Sequence, residues 1–165
     1  MSSPSITERQ QQLRAVRHRY DALSAGDRAI LRRCKNEDEI RLEGAYWRTV
    51  GDAKDVEHAL VTAVLLFPLA PHQTKQGFSF GRFLRQHLTS SEEGAALRVR
   101  RVVQAERDEL AHRLRGLLKL ASGGEKAVDW GVLGSDLVYF GDSVRRRWTQ
   151  DFFAPLGPPA STPST

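Results

Sequence analysis

The chain has 165 residues but only one cysteine, Cys34, and one methionine. A single thiol closes no intrachain disulfide and builds no cysteine-based zinc site. The five histidines, His18, His58, His72, His87 and His112, include no pair at the spacing of a helical metal site. Glycine-rich phosphate loops are missing, and Gly134-Ser135 does not lie in a nucleophile elbow. The acidic cluster Glu37, Asp38, Glu39 suits a helix start, where acids complement the dipole. No set of residues converges on a catalytic or cofactor site, and the sequence is expected to encode neither an enzyme nor a cofactor protein.

Long apolar runs are also scarce. The longest, Ala59–Leu69, is interrupted by Thr62 and Pro68 and is too short to span a bilayer. The opening stretch MSSPSITERQQQ is polar, with no apolar core of a signal peptide. A cytoplasmic protein without a membrane partner is expected. No segment alternates apolar and polar residues over a useful length, so no sheet is expected. There is no internal repeat.

What is abundant is positive charge. Lys and Arg number 25 against 20 Asp and Glu, a formal net charge of +5. Such a balance favours an anionic partner such as nucleic acid. The arginines cluster in Arg28–Lys35, Arg98–Arg115 and Arg145–Arg147. The stretch Leu97–Leu118 is the richest. It carries Arg98, Arg100, Arg101, Arg107, Arg113 and Arg115. Its apolar residues Val99, Val102, Val103, Leu110, Leu114, Leu117 and Leu118 recur at helical spacing, so one face packs while the other presents guanidinium groups. In one straight helix, Glu106 would fall within the apolar stripe, at a high desolvation cost. The stretch is therefore expected to break near Ala105–Arg107, with Asp108 and Glu109 in the first turn of a new helix. The alternative pairs Glu106 with a buried arginine.

Capping residues divide the remainder. Ser5 and Glu8 have capping-box spacing ahead of Leu13, Val16, Tyr20 and Leu23, with Arg9, Arg14, Arg17 and Arg19 read as a solvated face and Gly26 as the stop. Asp27, Asn36, Ser79 and Asp129 are candidate caps, and Ser90 with Glu93 forms a second box. Leu42, Tyr46 and Trp47 are expected in the core. Asp55–Phe67 is apolar nearly all round, the mark of a buried helix, and Pro68 ends it. The polar loop that follows, with His72, Lys75 and Gln76, is a connector or a contact loop. Gly141 separates the last helix. The expected fold is all-α, with about eight or nine helices in two packed lobes: 1–70, a connecting loop 71–78, and 79–153. The Pro- and Ser/Thr-rich end, 154–165, is expected to be disordered.

The order of several segments resembles a known family. ILRRCKNEDEI, AYWRTV, FSFGRFL, VVQAERDEL and VDWGVL, the last followed by a basic helix ending in DFF, are similar to the CasB family, the small subunit of the type I-E CRISPR surveillance complex Cascade. The resemblance covers roughly Ala29 to Phe153 and lies in order and spacing rather than in any single motif. It implies a non-catalytic, all-α subunit that sits as two copies beside the filament of backbone subunits carrying the CRISPR RNA. The implied partners are CRISPR RNA, target DNA, the backbone and large subunits, and a second copy. The displaced DNA strand would run over a basic surface. By position, the implied contacts are Arg32, Arg33, Arg98, Arg107, Arg115, Arg145 and Arg146. Some members carry a basic residue where Gln104 and Gly116 stand; Arg100, Arg101 and Arg113 are candidates to serve in their place. Apart from the resemblance, two other readings stay open: a helix-turn-helix DNA-binding regulator around Arg28–Arg48, and a structural adaptor for acidic protein surfaces.

Overall fold

A computed structural model describes residues 4–73, 75, 77–88, 91–122 and 124–154. Ten α-helices make up the chain among the described residues: α1 Ile6–Asp21, α2 Ala25–Arg33, α3 Glu37–Ile40, α4 Gly44–Val50, α5 Glu57–Leu66, α6 Phe80–His87, α7 Glu92–Val103, α8 Arg107–Leu120, α9 Trp130–Val138 and α10 Asp142–Phe153. Short 3-10 turns at Lys54–Val56 and Phe67–Leu69 flank α5. The only β-type pairing among these residues is one isolated bridge between His72 and Val128.

The apolar helix expected at Asp55–Phe67 becomes α5, and its buried residues run unbroken from Ala59 to Leu66. No face is left for solvent because α5 packs against α3, α4, α8 and α9. Helix α9 packs on both α1 and α5, while α10 packs on α6 and α7. One continuous buried cluster joins Leu13, Val16, Leu60, Val64, Phe80, Leu84, Val99, Leu114, Leu133 and Trp148. The halves on either side of 71–78 thus share apolar contacts through α9.

Several caps hold as expected. Ser5 and Glu8 close a reciprocal box at α1. Asn36, Ser79 and Asp129 each accept from backbone N–H groups at the starts of α3, α6 and α9. Others differ. Ser24 rather than Asp27 caps α2, and Gly26 lies within that helix instead of stopping α1. The cap of α7 is Ser91, whose hydroxyl accepts from the Gly94 N–H; Ser90 of the expected box lies outside the described residues. Leu42 is 85% exposed because α3 is a single turn and the chain swings outward before α4, and Trp47 is 42% exposed because α4 buries the face of Ala45, Tyr46, Thr49 and Val50. Tyr46 is in the core as expected, its hydroxyl donating to Glu57 Oε1 at 2.7 Å. The expected end segment from 155 onward lies outside the described residues, as does Gln76.

The largest correction concerns α1. Its arginines are not a solvated row. Arg17 is buried against the rings of Tyr20, Phe67 and Trp130, its guanidinium carbon 5.1, 5.1 and 5.5 Å from their centroids. Its Nη1 donates to the Phe67 and Ala70 carbonyls, each at 3.0 Å. Those carbonyls are exposed by the chain turning at Pro68 and need a donor. Arg14 donates from Nε and Nη2 to the buried Asp129 carboxylate. Arg9 bonds Asp55, and Arg19 donates to the carbonyls of Thr49 and Val50 at the end of α4. All four close on backbone or carboxylate groups brought from distant segments, which period and polarity along α1 do not reveal.

Candidate nucleic-acid interface

The arginine-rich stretch breaks where expected. Helix α7 ends at Val103, α8 begins at Arg107, and Glu106 stands between them as an exposed N-cap. Asp108 and Glu109 occupy the first turn of α8. The break frees Glu106 from the apolar stripe, and Arg107 does not pair with it: Arg107 Nη2 donates to the Leu137 carbonyl at 3.0 Å. A reciprocal tie comes from Arg145 on α10, whose Nη2 donates to the Ala105 carbonyl at 3.2 Å. Arg145 also stacks its guanidinium 4.8 Å from the Phe140 ring centroid and reaches Asp142 at 3.5 Å. The α7–α8 turn is thereby bolted to both ends of the α9–α10 turn. These two arginines hold the turn while keeping their charge, since each tie to the opposite turn is to a neutral carbonyl.

The two helices then run side by side, with Val99, Val102, Leu110, Leu114, Leu117 and Leu118 buried. Between them lies an open cleft of about 170 Å³, lined by Arg98, Arg101, Val102, His112, Arg113, Gly116, Leu117 and Leu120. Leu120, 47% exposed, is the accessible apolar side chain of the cleft, over the buried Val102 and Leu117. Arg98, Arg101 and Arg113 stand on the walls. No carboxylate lines the cleft, and none of these three arginines makes an ion pair among the described residues. That contrast with α1 matters, because a guanidinium without a protein partner retains its full capacity for a phosphate.

His112 also borders a second cleft, of about 350 Å³, that includes Lys35, Asn36 and Arg115 along with the acids Glu37, Asp38 and Asp108. Arg115 is half-buried there and donates to the Lys35 carbonyl at 3.3 Å, joining α8 to the end of α2. This second cleft is of mixed charge, with Lys35 and Arg115 set among three carboxylates, and only His112 lines both clefts. Arg32 and Arg33 are exposed in the last turn of α2, next to that end. Arg33 folds back to the Ala29 carbonyl of its own helix. Arg146 is exposed on α10. Its neighbour Arg147 instead pairs with buried Asp136, whose other oxygen accepts from Trp148 Nε1 at 2.7 Å. Burial pushes the Asp136 carboxyl above its ordinary value despite those donors.

The structure thus gathers Arg98, Arg101 and Arg113 on one cleft and sets Arg115 on the neighbouring one, with Arg32 and Arg33 near its Lys35 end. It sets Arg107 and Arg145 at the bolted turn. His112 joins the two clefts, and its position on α8 relative to Arg113 and Gly116 was the available sequence signal. The recognition helix that a helix-turn-helix needs is missing near Arg28–Arg48: α3 is one turn long and begins with three acids. No described helix is long and apolar enough to cross a membrane.

Fold and surface together define an all-α protein with an arginine-lined face and no described cluster of metal-ligating side chains. The family profile of CRISPR-associated protein Cse2 matches residues 27–153, and the chain belongs to that family. Cse2 is the small subunit of type I-E Cascade, the CasB family whose motif order the sequence carries. A chain in the crystal structure of E. coli Cascade bound to a PAM-containing double-stranded DNA target is 27% identical, with a TM-score of 0.71. The match covers 85% of this chain and 95% of that one. A search of curated proteins returns no match. Helix α1 precedes the family match yet supplies Leu13, Val16 and Tyr20 to the core.

Proposed function

We propose that this chain works within a Cascade assembly as a non-catalytic brace that holds the displaced strand of an opened DNA target on the α7–α8 face. Its partners in this reading are the guide RNA, the target DNA, the other Cascade subunits and a second copy of itself. The observation that carries the reading is the row Arg98, Arg101 and Arg113, exposed or half-exposed and unpaired by any described carboxylate, on an element bolted at its turn by Arg107 and Arg145. Guanidiniums on a rigid element bind phosphates without reading sequence, which suits a strand that differs with every target. Arg115, Arg32 and Arg33 offer further charge beside the neighbouring cleft, and Arg146 offers an exposed charge on α10.

The test is protection of the displaced strand in a reconstituted complex carrying the Arg98→Ala, Arg101→Ala, Arg113→Ala triple variant. Loss of protection against a single-strand probe, with guide RNA still loaded, is expected. Unchanged protection would overturn the assignment of this face.

A further inference from the structure

Gly116 has no structural reason to be glycine. It lies in the third turn of the 14-residue helix α8, with φ outside the left-handed region. A Cβ built there would meet nothing within 4 Å. The other helical glycines in tight packing are different: a Cβ on Gly131 would come 2.7 Å from the Gln10 carbonyl oxygen, and one on Gly81 2.7 Å from that of Trp148. Glycine inside a helix costs about 1 kcal/mol relative to alanine, so an unexplained one points to something approaching the backbone closely.

What Gly116 borders is the α7–α8 cleft, where exposed Leu120 lies over the buried Val102 and Leu117, with Arg98, Arg101 and Arg113 at its walls. The volume of about 170 Å³ suffices for one aromatic ring, since a cavity of roughly 150 Å³ admits benzene. An apolar patch with guanidinium walls matches a nucleobase: the ring shelters on Leu120 and the bare Gly116 backbone, an arginine plane covers its face, and the flanking phosphates meet the remaining arginines. A bare phosphate would gain nothing from the apolar patch or from the missing Cβ.

We infer that the cleft beside Gly116 is a slot for a single unpaired nucleobase, so that the strand is held by base insertion as well as by its phosphates. Every base has an apolar face, so the slot imposes no sequence. The inference rests on the proposed strand-holding role and adds its mode.

The experiment compares the full chain's affinity for a deoxythymidine oligomer and for an abasic sugar-phosphate strand of the same length, each at two salt concentrations. The parent should bind the base-bearing strand on the order of tenfold more tightly. Gly116→Leu, which fills the slot from an exposed position, should remove that preference, leave the salt slope unchanged and keep or raise the melting temperature. Equal affinity of the parent for both strands, with a normal salt slope, would overturn the slot while leaving phosphate holding in place. Gly116→Leu retaining the preference would overturn it as well. Salt-insensitive or absent binding of both strands would overturn the slot together with the strand-holding role beneath it.

Discussion

Helices α1 and α8 are both arginine-rich amphipathic elements, and the two use arginine in opposite ways. On α1, Arg9, Arg14, Arg17 and Arg19 reach inward or sideways to Asp55, Asp129, the carbonyls of Phe67 and Ala70, and those of Thr49 and Val50. On α8 and its partner α7, Arg98, Arg101 and Arg113 close on no described partner and border a cleft. The difference does not lie in local sequence. It lies in what the rest of the chain delivers: α1 faces a broken helix end at Pro68, a capping carboxylate at Asp129 and the last turn of α4. The α7–α8 face meets no such groups. An arginine's role is therefore set by whether the fold has already supplied its acceptor.

The sharpest way to break the comparison is Arg17. Replacing it with alanine leaves the Phe67 and Ala70 carbonyls without their charged donor and opens a void among three rings. A loss of about 3 kcal/mol is expected, from the charge-assisted hydrogen bonds and the stacking on the rings. For a chain of this size that is roughly a 10 °C drop in melting temperature. Arg17→Lys should recover only part of it, because a point ammonium lacks the planar fork and the stacking surface. A melting curve like the parent's for Arg17→Ala would show that its contacts with the carbonyls and rings carry no net stability.

Glycines make the same comparison at smaller scale. Gly131→Ala drives a methyl to 2.7 Å from the Gln10 carbonyl oxygen and 2.6 Å from Arg14 Cγ, where α1 and α9 touch. Overpacking of that kind costs about 1 to 3 kcal/mol. Gly134→Ala drives a methyl to 2.7 Å from Leu13 Cγ and 3.0 Å from its Cβ in the packed core, and should cost a similar amount. Gly116→Ala meets nothing and should stabilise by up to about 1 kcal/mol through helix propensity. Opposite signs for Gly131→Ala and Gly116→Ala in denaturant titrations would confirm that only one of these glycines belongs to the packing.

Much of this fold was legible from local signals. The break at Ala105–Arg107 followed from the cost of placing Glu106 in an apolar stripe, and the all-apolar α5 announced its burial. The roles of Arg9, Arg14, Arg17 and Arg19 were not legible, because their acceptors lie far away in sequence and become acceptors only when the chain closes. Leu42 and Trp47 misled for local reasons: α3 stops after one turn and leaves Leu42 outside, and α4 buries the face of Ala45, Tyr46, Thr49 and Val50 and leaves Trp47 at its side. The basic face was visible as a cluster of arginines. Which of them would meet across a cleft depended on the pairing of α7 with α8, and the ties of Arg107 and Arg145 depended on the α9–α10 turn.

Acid offers a milder probe of the structural ion pairs. Arg41 donates to both oxygens of Glu57 at 2.9 and 3.0 Å, and its guanidinium, followed by the Tyr46 hydroxyl, holds that carboxyl below its ordinary value of 4.5. A lowered folded-state value means the unfolded chain binds the proton first. The stability from Glu57 is present above about pH 4.5 and drains away as pH falls through the lower folded value. Asp55, lowered chiefly by its hydrogen bond from Arg9, behaves the same way. Glu57→Gln should flatten the acid limb of melting temperature against pH. An acid limb of unchanged steepness would mean that other carboxylates govern it.

The smallest effect on stability, and the most informative for function, belongs to the cleft itself. Arg98→Ala, Arg101→Ala and Arg113→Ala should each leave stability within about 0.5 kcal/mol of the parent, as surface changes without a partner do. Each should lower the salt slope of single-strand binding by about 0.7, the signature of one fewer phosphate neutralised. Arg107→Ala should differ from these three. It removes the donor to the Leu137 carbonyl, so a stability loss of about 1 kcal/mol should accompany any change in binding. Measuring melting temperature and salt slope on all four single variants separates an arginine that holds the turn from one that holds the strand. If the three cleft variants lower the melting temperature and leave the slope alone, their arginines are structural like those of α1, and the strand must be sought on Arg146 and the exposed side of α10.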